Sequence, residues 1–240
     1  MPPGSAIEET GPPPIEYIRK GIVRDDRWLY GRLLFHSPSL LGEKAVRIAL
    51  SCNSCHPNGH VNKDFYIEGL SDGPGRIDLS HHFWQAGQED GKSNPLDIPS
   101  LRGVGHTAPY GSVKSFPSLP AFTRHVIIDE FAGPIPAHED MMALMAYLRS
   151  LDFKGSANDA ADVSTSPDMR YLSLLEAPLA AKDLAVLDNL VDLIRGDIGR
   201  NQKKASPKAI RLVTGLLTIR EQARRGNFET ARAEYRRLTQ

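Results

Sequence analysis

Apolar positions recur at helical spacing in several separate stretches. The run Trp28-Leu29-Tyr30-Gly31-Arg32-Leu33-Leu34-Phe35 is apolar enough for a helix, and Asp25 or Asp26 just ahead of it supplies an N-cap. Gly31 in its middle costs about 1 kcal/mol against alanine, so its place there calls for a close neighbour. Ser118 followed by Pro120 opens a helix expected to reach about residue 131, where Gly133-Pro134 stops it. A further helix starts near His138-Glu139-Asp140, with two acids in its first turn. Along it Met141, Leu144, Met145, Leu148 and Leu151 fall at i, i+3, i+4, i+7 and i+10, an amphipathic stripe. Later, Leu184, Leu187, Val191 and Ile194 mark one helix, and Ile210, Val213 and Leu217 mark another. A last short helix, 229–238, follows the break at Arg225-Gly226-Asn227-Phe228.

Between these stretches the periodicity disappears. Residues 1–15 are rich in Pro and Gly, and order is expected from about Ile15. From residue 58 to 116 the chain is dominated by turn-forming residues, with Ser71-Asp72-Gly73-Pro74-Gly75 as the clearest case. A loop that long in a compact domain is functional or disordered. Small polar residues over 155–167 read as a linker. The expectation is a mainly α protein: a disordered or extended lead-in (1–21), a first domain with long loops (22–153) and a helical C-terminal extension (154–240).

Bulk composition narrows the setting. The chain has 240 residues, 29 Lys and Arg against 29 Asp and Glu, and a formal net charge of zero. No run of about 18 apolar residues exists, so no membrane span is expected. The neutral total hides an asymmetry, because from Arg200 onward Lys and Arg far outnumber Glu221, Glu229 and Glu234. A basic extension suits docking on the acidic remainder of the chain or on an acidic partner. No recognised motif supports nucleic-acid binding, and a solvated helical surface is the simpler reading.

The chemistry concentrates in Cys52-Asn53-Ser54-Cys55-His56, which contains both cysteines of the chain. Cys-x-x-Cys-His is the attachment signature of haem c. The two thiols lie about one helical turn apart and reach one edge of a porphyrin, and His56 is then placed to ligate the iron. A disulfide between Cys52 and Cys55 would close too small a loop to stabilise much. A thioredoxin-type pair wants a βαβ context that is missing, and a structural zinc site, with His60 as a third donor, lacks a fourth. One covalent haem c is therefore the expected cofactor. Phe65, Tyr66, Phe83 and Trp84 in the long loop are candidates to pack on the macrocycle, and Arg76 and Arg102 to pair with its propionates. His81, His82 and His106 also lie in that loop, within reach of the iron's second axial position. His60 reads as a loop histidine, since Pro57 and Gly59 interrupt any helix that would align it with His56.

Several short motifs appear in a fixed order: Gly31-Arg32-Leu33-Leu34-Phe35, the haem motif, Ile98-Pro99-Ser100-Leu101-Arg102-Gly103-Val104, Thr107-Ala108-Pro109-Tyr110, Ser118-Leu119, and Ala146-Tyr147-Leu148-Arg149-Ser150-Leu151. Together they resemble the C-terminal haem domain of the bacterial di-haem cytochrome c peroxidase family, over about residues 22–153. The resemblance implies a cytochrome c-like domain whose loops wrap the haem, and in which the first and last helices cross closely. Two departures stand out. Where the family continues from Pro-Tyr to His-Asp-Gly, this chain has Gly111-Ser112-Val113-Lys114, and it lacks the second haem motif.

In that family a Met on the helix after Pro-Tyr commonly supplies the sixth iron ligand. The equivalent stretch, 119–127, has no Met, and His125 is its only ligating side chain. His125 is thus the first candidate for sixth ligand, and His106 the next. The expected function is electron transfer through one haem c, with a redox partner protein and, by the resemblance, an upstream haem domain. The alternatives are a peroxidase-like haem enzyme, or the haem half of one, and a haem-based sensor whose output is the helical extension. Thioether attachment takes place outside the bacterial inner membrane, so a periplasmic location is expected. Met1-Pro2-Pro3-Gly4-Ser5 does not read as a signal peptide, and a processed or truncated N-terminus accompanies that expectation.

Overall fold

Asp25 caps the first helix, α1 (Asp26–His36), by accepting the Trp28 N–H at 2.9 Å. From Trp28 to His36 nearly every side chain of α1 is buried, as befits a helix enclosed on most sides. These observations come from a computed structural model that describes residues 13–85, 87, 89–154, 169–200 and 206–240. It is mainly helical, with a single two-stranded sheet among the described residues. The chain divides into two compact units, Met1–Asp162 and Val163–Gln240. The expected linker over 155–167 lies outside the described residues.

In the first unit α1 is followed by short helices α2 (Glu43–Arg47) and α3 (Cys52–Cys55), strands β1 (Arg76–Ile77) and β2 (Leu96–Asp97), then α4 (Leu119–His125) and α5 (His138–Ser150). The strands pair antiparallel, Arg76 opposite Asp97 and Ile77 opposite Leu96, and pin the base of the long loop. The core is the crossing of α1 and α5. Gly31 sits at the crossing point, where a Cβ would run into the Ala143 carbonyl, and this close approach accounts for glycine there. Hydrogen bonds brace the crossing on both sides: Trp28 Nε1 donates to Ser150 Oγ at 2.8 Å and the Tyr30 hydroxyl to Asp140 at 2.7 Å. Phe35 and Trp28 both lie against the Tyr147 ring.

The chain before α1 belongs to this unit. Ile18 bridges to Leu151, and the Arg19 N–H donates to the Ser150 carbonyl. Glu16 is 3% exposed and accepts from Arg32 Nε at 2.9 Å and from the Tyr147 hydroxyl at 2.6 Å. A buried carboxylate of this kind is tolerable only when paired and hydrogen-bonded, so residues 14–19 are tied into the core as extended chain.

The helix opened by Ser118 runs to Glu130, close to its predicted end, but not as α-helix throughout. After α4 the backbone widens into one π-helical turn, Val126–Glu130, closed by the Phe131 N–H on the Val126 carbonyl.

The second unit contains a 3₁₀ turn (Met169–Leu175), then α6 (Glu176–Ala181), α7 (Leu184–Arg200), α8 (Pro207–Arg224) and α9 (Phe228–Thr239). Leu187, Val191 and Ile194 of α7 are buried, as the spacing predicts. On α8 the inward face differs from the predicted one. Leu212, Leu216, Ile219 and Ala223 are buried, while Ile210 is 55% exposed and Val213 and Leu217 are only partly covered. Two apolar stripes run side by side on α8. The one flanking Gly215 turns inward, because the missing side chain there admits Leu238 of α9. Much of the extension's basic charge is matched inside the unit, by Arg224 on Asp188 at 2.8 Å and Arg220 on Asp192 at 2.7 Å.

Candidate functional site

The turn carrying Cys52 and Cys55 is built from small polar side chains. Ser51 N–H donates to Ser54 Oγ at 3.0 Å, and the His56 N–H closes the turn on the Cys52 carbonyl at 2.9 Å. Asn62 reaches back to the Ser54 carbonyl, and Asn53 accepts the Asn58 N–H, both at 2.8 Å. Asn58 takes the left-handed conformation (φ 50°), which asparagine tolerates better than most residues. The motif is thereby held rigidly at both ends.

His56 is oriented by a residue to which the sequence reading assigned no role. Its Nδ1–H donates to the Pro99 carbonyl at 2.9 Å, and this bond fixes the tautomer and leaves Nε2 with a free lone pair. Burial pushes the imidazole down to about 4, so it is neutral at pH 7 and ready to ligate a metal. The ring nevertheless keeps partial solvent access.

Burial also raises both thiols, Cys52 to about 12 and Cys55 further. Buried neutral thiols are poor nucleophiles, which argues against a dithiol redox pair. A zinc site gains no support either. His60 turns away, bonding the Ile15 carbonyl through Nε2 at 2.9 Å and leaning on Tyr17, and among the described residues no third donor joins the two sulfurs. Two protonated thiols on one turn, followed by an imidazole with an open Nε2, do fit haem c. In such a site each S–H would add across one vinyl double bond of the porphyrin, and His56 Nε2 would supply a ligand to the iron.

The two candidate arginines differ. Arg76 is engaged by Asp72 and Asp97, each at 3.2 Å, and by the Pro95 carbonyl at 2.5 Å. Arg102 lies three residues beyond Pro99, bonds Ser100 Oγ and covers the Phe153 ring, with no carboxylate partner among the described residues. Leu101 and Ser100 both bond the Gly59 carbonyl, which holds this segment against the motif. Of the aromatic candidates, Phe65 and Trp84 are wholly enclosed by protein and Trp84 packs on Phe131, so both are core residues; Tyr66 is exposed.

His125 is built into another cluster. Its Nδ1 bonds Asp129 at 2.8 Å and its Nε2 lies 3.6 Å from Glu130. The wide π turn accounts for this arrangement, because it brings the residue five positions on beneath the ring. Burial holds the Glu130 carboxyl above the usual range. Both residues line an open cavity of about 370 Å³ together with Asp78, Ser80 and Asn94. His106 sits exposed at the end of the turn Val104–His106. No helix among the described residues is long and apolar enough to cross a membrane. No family model, curated protein or solved structure matches this chain.

Proposed function

We propose that this chain is a single-haem c electron-transfer protein with a cytochrome c-like first unit. The observation that carries the reading is the His56–Pro99 hydrogen bond, which leaves a neutral Nε2 directed away from the backbone, one residue after two thiols on a single turn. Haem, when bound, supplies one-electron exchange at its iron. Pro99 would orient the ligating imidazole, the Ser and Asn side chains around Cys52 and Cys55 would hold the attachment turn, and Arg102, with no carboxylate partner among the described residues, would offer its positive charge to a propionate. The close α1–α5 crossing at Gly31 supports the cytochrome-like arrangement. A periplasmic location and a protein redox partner follow from that reading.

The test is expression alongside a haem-attachment system. Covalent haem that survives denaturation and acid-acetone extraction is expected, together with its loss in Cys52→Ala/Cys55→Ala. A colourless extracted protein refutes the proposal. A second reading, a peroxidase-like enzyme, is favoured by one observation: both ring nitrogens of His125 already face carboxylates. An imidazole so engaged supplies no sixth ligand until it gives up a contact, and an open position opposite His56 is what peroxide reduction requires. A low-spin ferric spectrum supports electron transfer, and a high-spin spectrum with peroxide turnover supports the enzyme.

A further inference from the structure

The loop between β1 and β2 carries a second group of donors, separate from the Cys52–His56 turn. His81 and His82 are chain neighbours, yet their rings lie 4.1 Å apart at 34°, turned to the same side. Glu89 comes back to meet them, and one ligating atom from each of the three lies within 4.8 Å of the others. We propose that His81, His82 and Glu89 form a binding site for a divalent transition-metal ion of the Zn²⁺ or Cu²⁺ type.

Three features support it. First, the carboxylate is fixed and ionised. Glu89 accepts the backbone N–H of His82 at 2.8 Å and of Gly91 at 2.9 Å, and the His82 Nδ1–H at 2.9 Å. These bonds hold it near 2, far below the usual carboxylate range. Second, ligating nitrogens stand close to the carboxylate: His82 Nδ1 lies 2.9 Å from Glu89, where a metal ion would take the place of the shared proton, and His81 Nδ1, whose lone pair accepts the Phe83 N–H at 3.1 Å, would exchange that bond for the metal.

Third, the loop is tied down on both sides of the histidines. Asp78, 2% exposed, accepts from the Ser80 N–H and hydroxyl and from the Asn94 N–H. On the other side the buried Trp84 donates Nε1–H to the Asp78 carbonyl, and Lys44 Nζ bonds the Trp84 carbonyl at 2.8 Å. Residues 78–84, which carry both imidazoles, are thus held in place before any ion binds. Two imidazoles and one carboxylate match the preferences of Zn²⁺ and Cu²⁺, whereas Ca²⁺ and Mg²⁺ want oxygen ligands throughout.

The experiment is calorimetric titration of the full chain with Zn²⁺, paired with electron paramagnetic resonance of the Cu²⁺ form. Saturable binding is expected, with Cu²⁺ hyperfine structure from imidazole nitrogen. Affinity should fall at least tenfold in His82→Ala and in Glu89→Gln, and saturable binding should vanish in His81→Ala/His82→Ala. These side chains are surface-accessible, and unchanged circular dichroism confirms that the variants fold. Wild-type affinity in the double variant, or no saturable binding by the wild type, overturns the proposal. Running every titration in a Cys52→Ala/Cys55→Ala background as well separates this site from metal taken up by the free thiols and from the outcome of haem attachment.

Discussion

Replacing Gly31 by alanine sets two effects of opposite sign against each other. In a solvent-exposed helix the exchange gains about 1 kcal/mol from propensity. At this position the new methyl enters space held by the Ala143 carbonyl, with the Leu144 nitrogen only 3.1 Å from it. Overpacking against movable side chains costs about 1–3 kcal/mol. Here the obstacle is helix backbone, braced by the Trp28–Ser150 and Tyr30–Asp140 bonds, so the penalty belongs at or above the top of that range. The net is a destabilisation of about 2–3 kcal/mol, which in a chain of this size lowers Tm by roughly 4–12 °C. Urea unfolding followed by far-UV circular dichroism measures it. Gly199 on α7 is the control, since a Cβ there meets nothing within 4 Å and the same exchange should be neutral or mildly stabilising. A Gly31→Ala variant that is more stable than the parent would refute the tight crossing and, with it, the main support for a cytochrome-like arrangement.

Glu16→Gln removes the charged acceptor shared by Arg32 Nε and the Tyr147 hydroxyl and should cost about 1.5–3 kcal/mol, with Tyr147→Phe nearer 1 kcal/mol; a fall of less than 1 kcal/mol for Glu16→Gln in the urea assay would show that residues 14–19 do not anchor the core. In the haem-free chain, His56 makes stability depend on acid in a definite direction. Its folded value of about 4 lies below the ordinary 6.5, so the unfolded chain takes up its proton first. Stability is complete above about pH 6.5 and declines as pH falls, until the ring is protonated in both states below about 4. Discounted for the ring's partial exposure, the loss between pH 7 and pH 5 is about 1–2 kcal/mol. It appears as the difference between wild type and His56→Gln, and equal pH profiles would rule it out.

Much was legible in the sequence because it is local. The Asp25 cap, the α5 stripe, the long loop and the spacing of Cys52, Cys55 and His56 all follow from residues within a turn or two of one another. The Ser and Asn residues around the motif were visible as well, though not the bonds they make. What the sequence left undecided depends on partners distant in the chain. Nothing near Pro99 announces that its carbonyl orients an imidazole 43 residues earlier. Periodicity pointed to Ile210, Val213 and Leu217 on α8, and the fit of Leu238 beside Gly215 turned the neighbouring stripe inward instead. Arg76 and Arg102 read alike until Asp97, paired across β1 and β2, matched the first and left the second without a carboxylate partner among the described residues. Local propensity sets which segments are helix and where the thiols fall; charge compensation, tautomer and burial belong to contacts that exist only once the chain has folded.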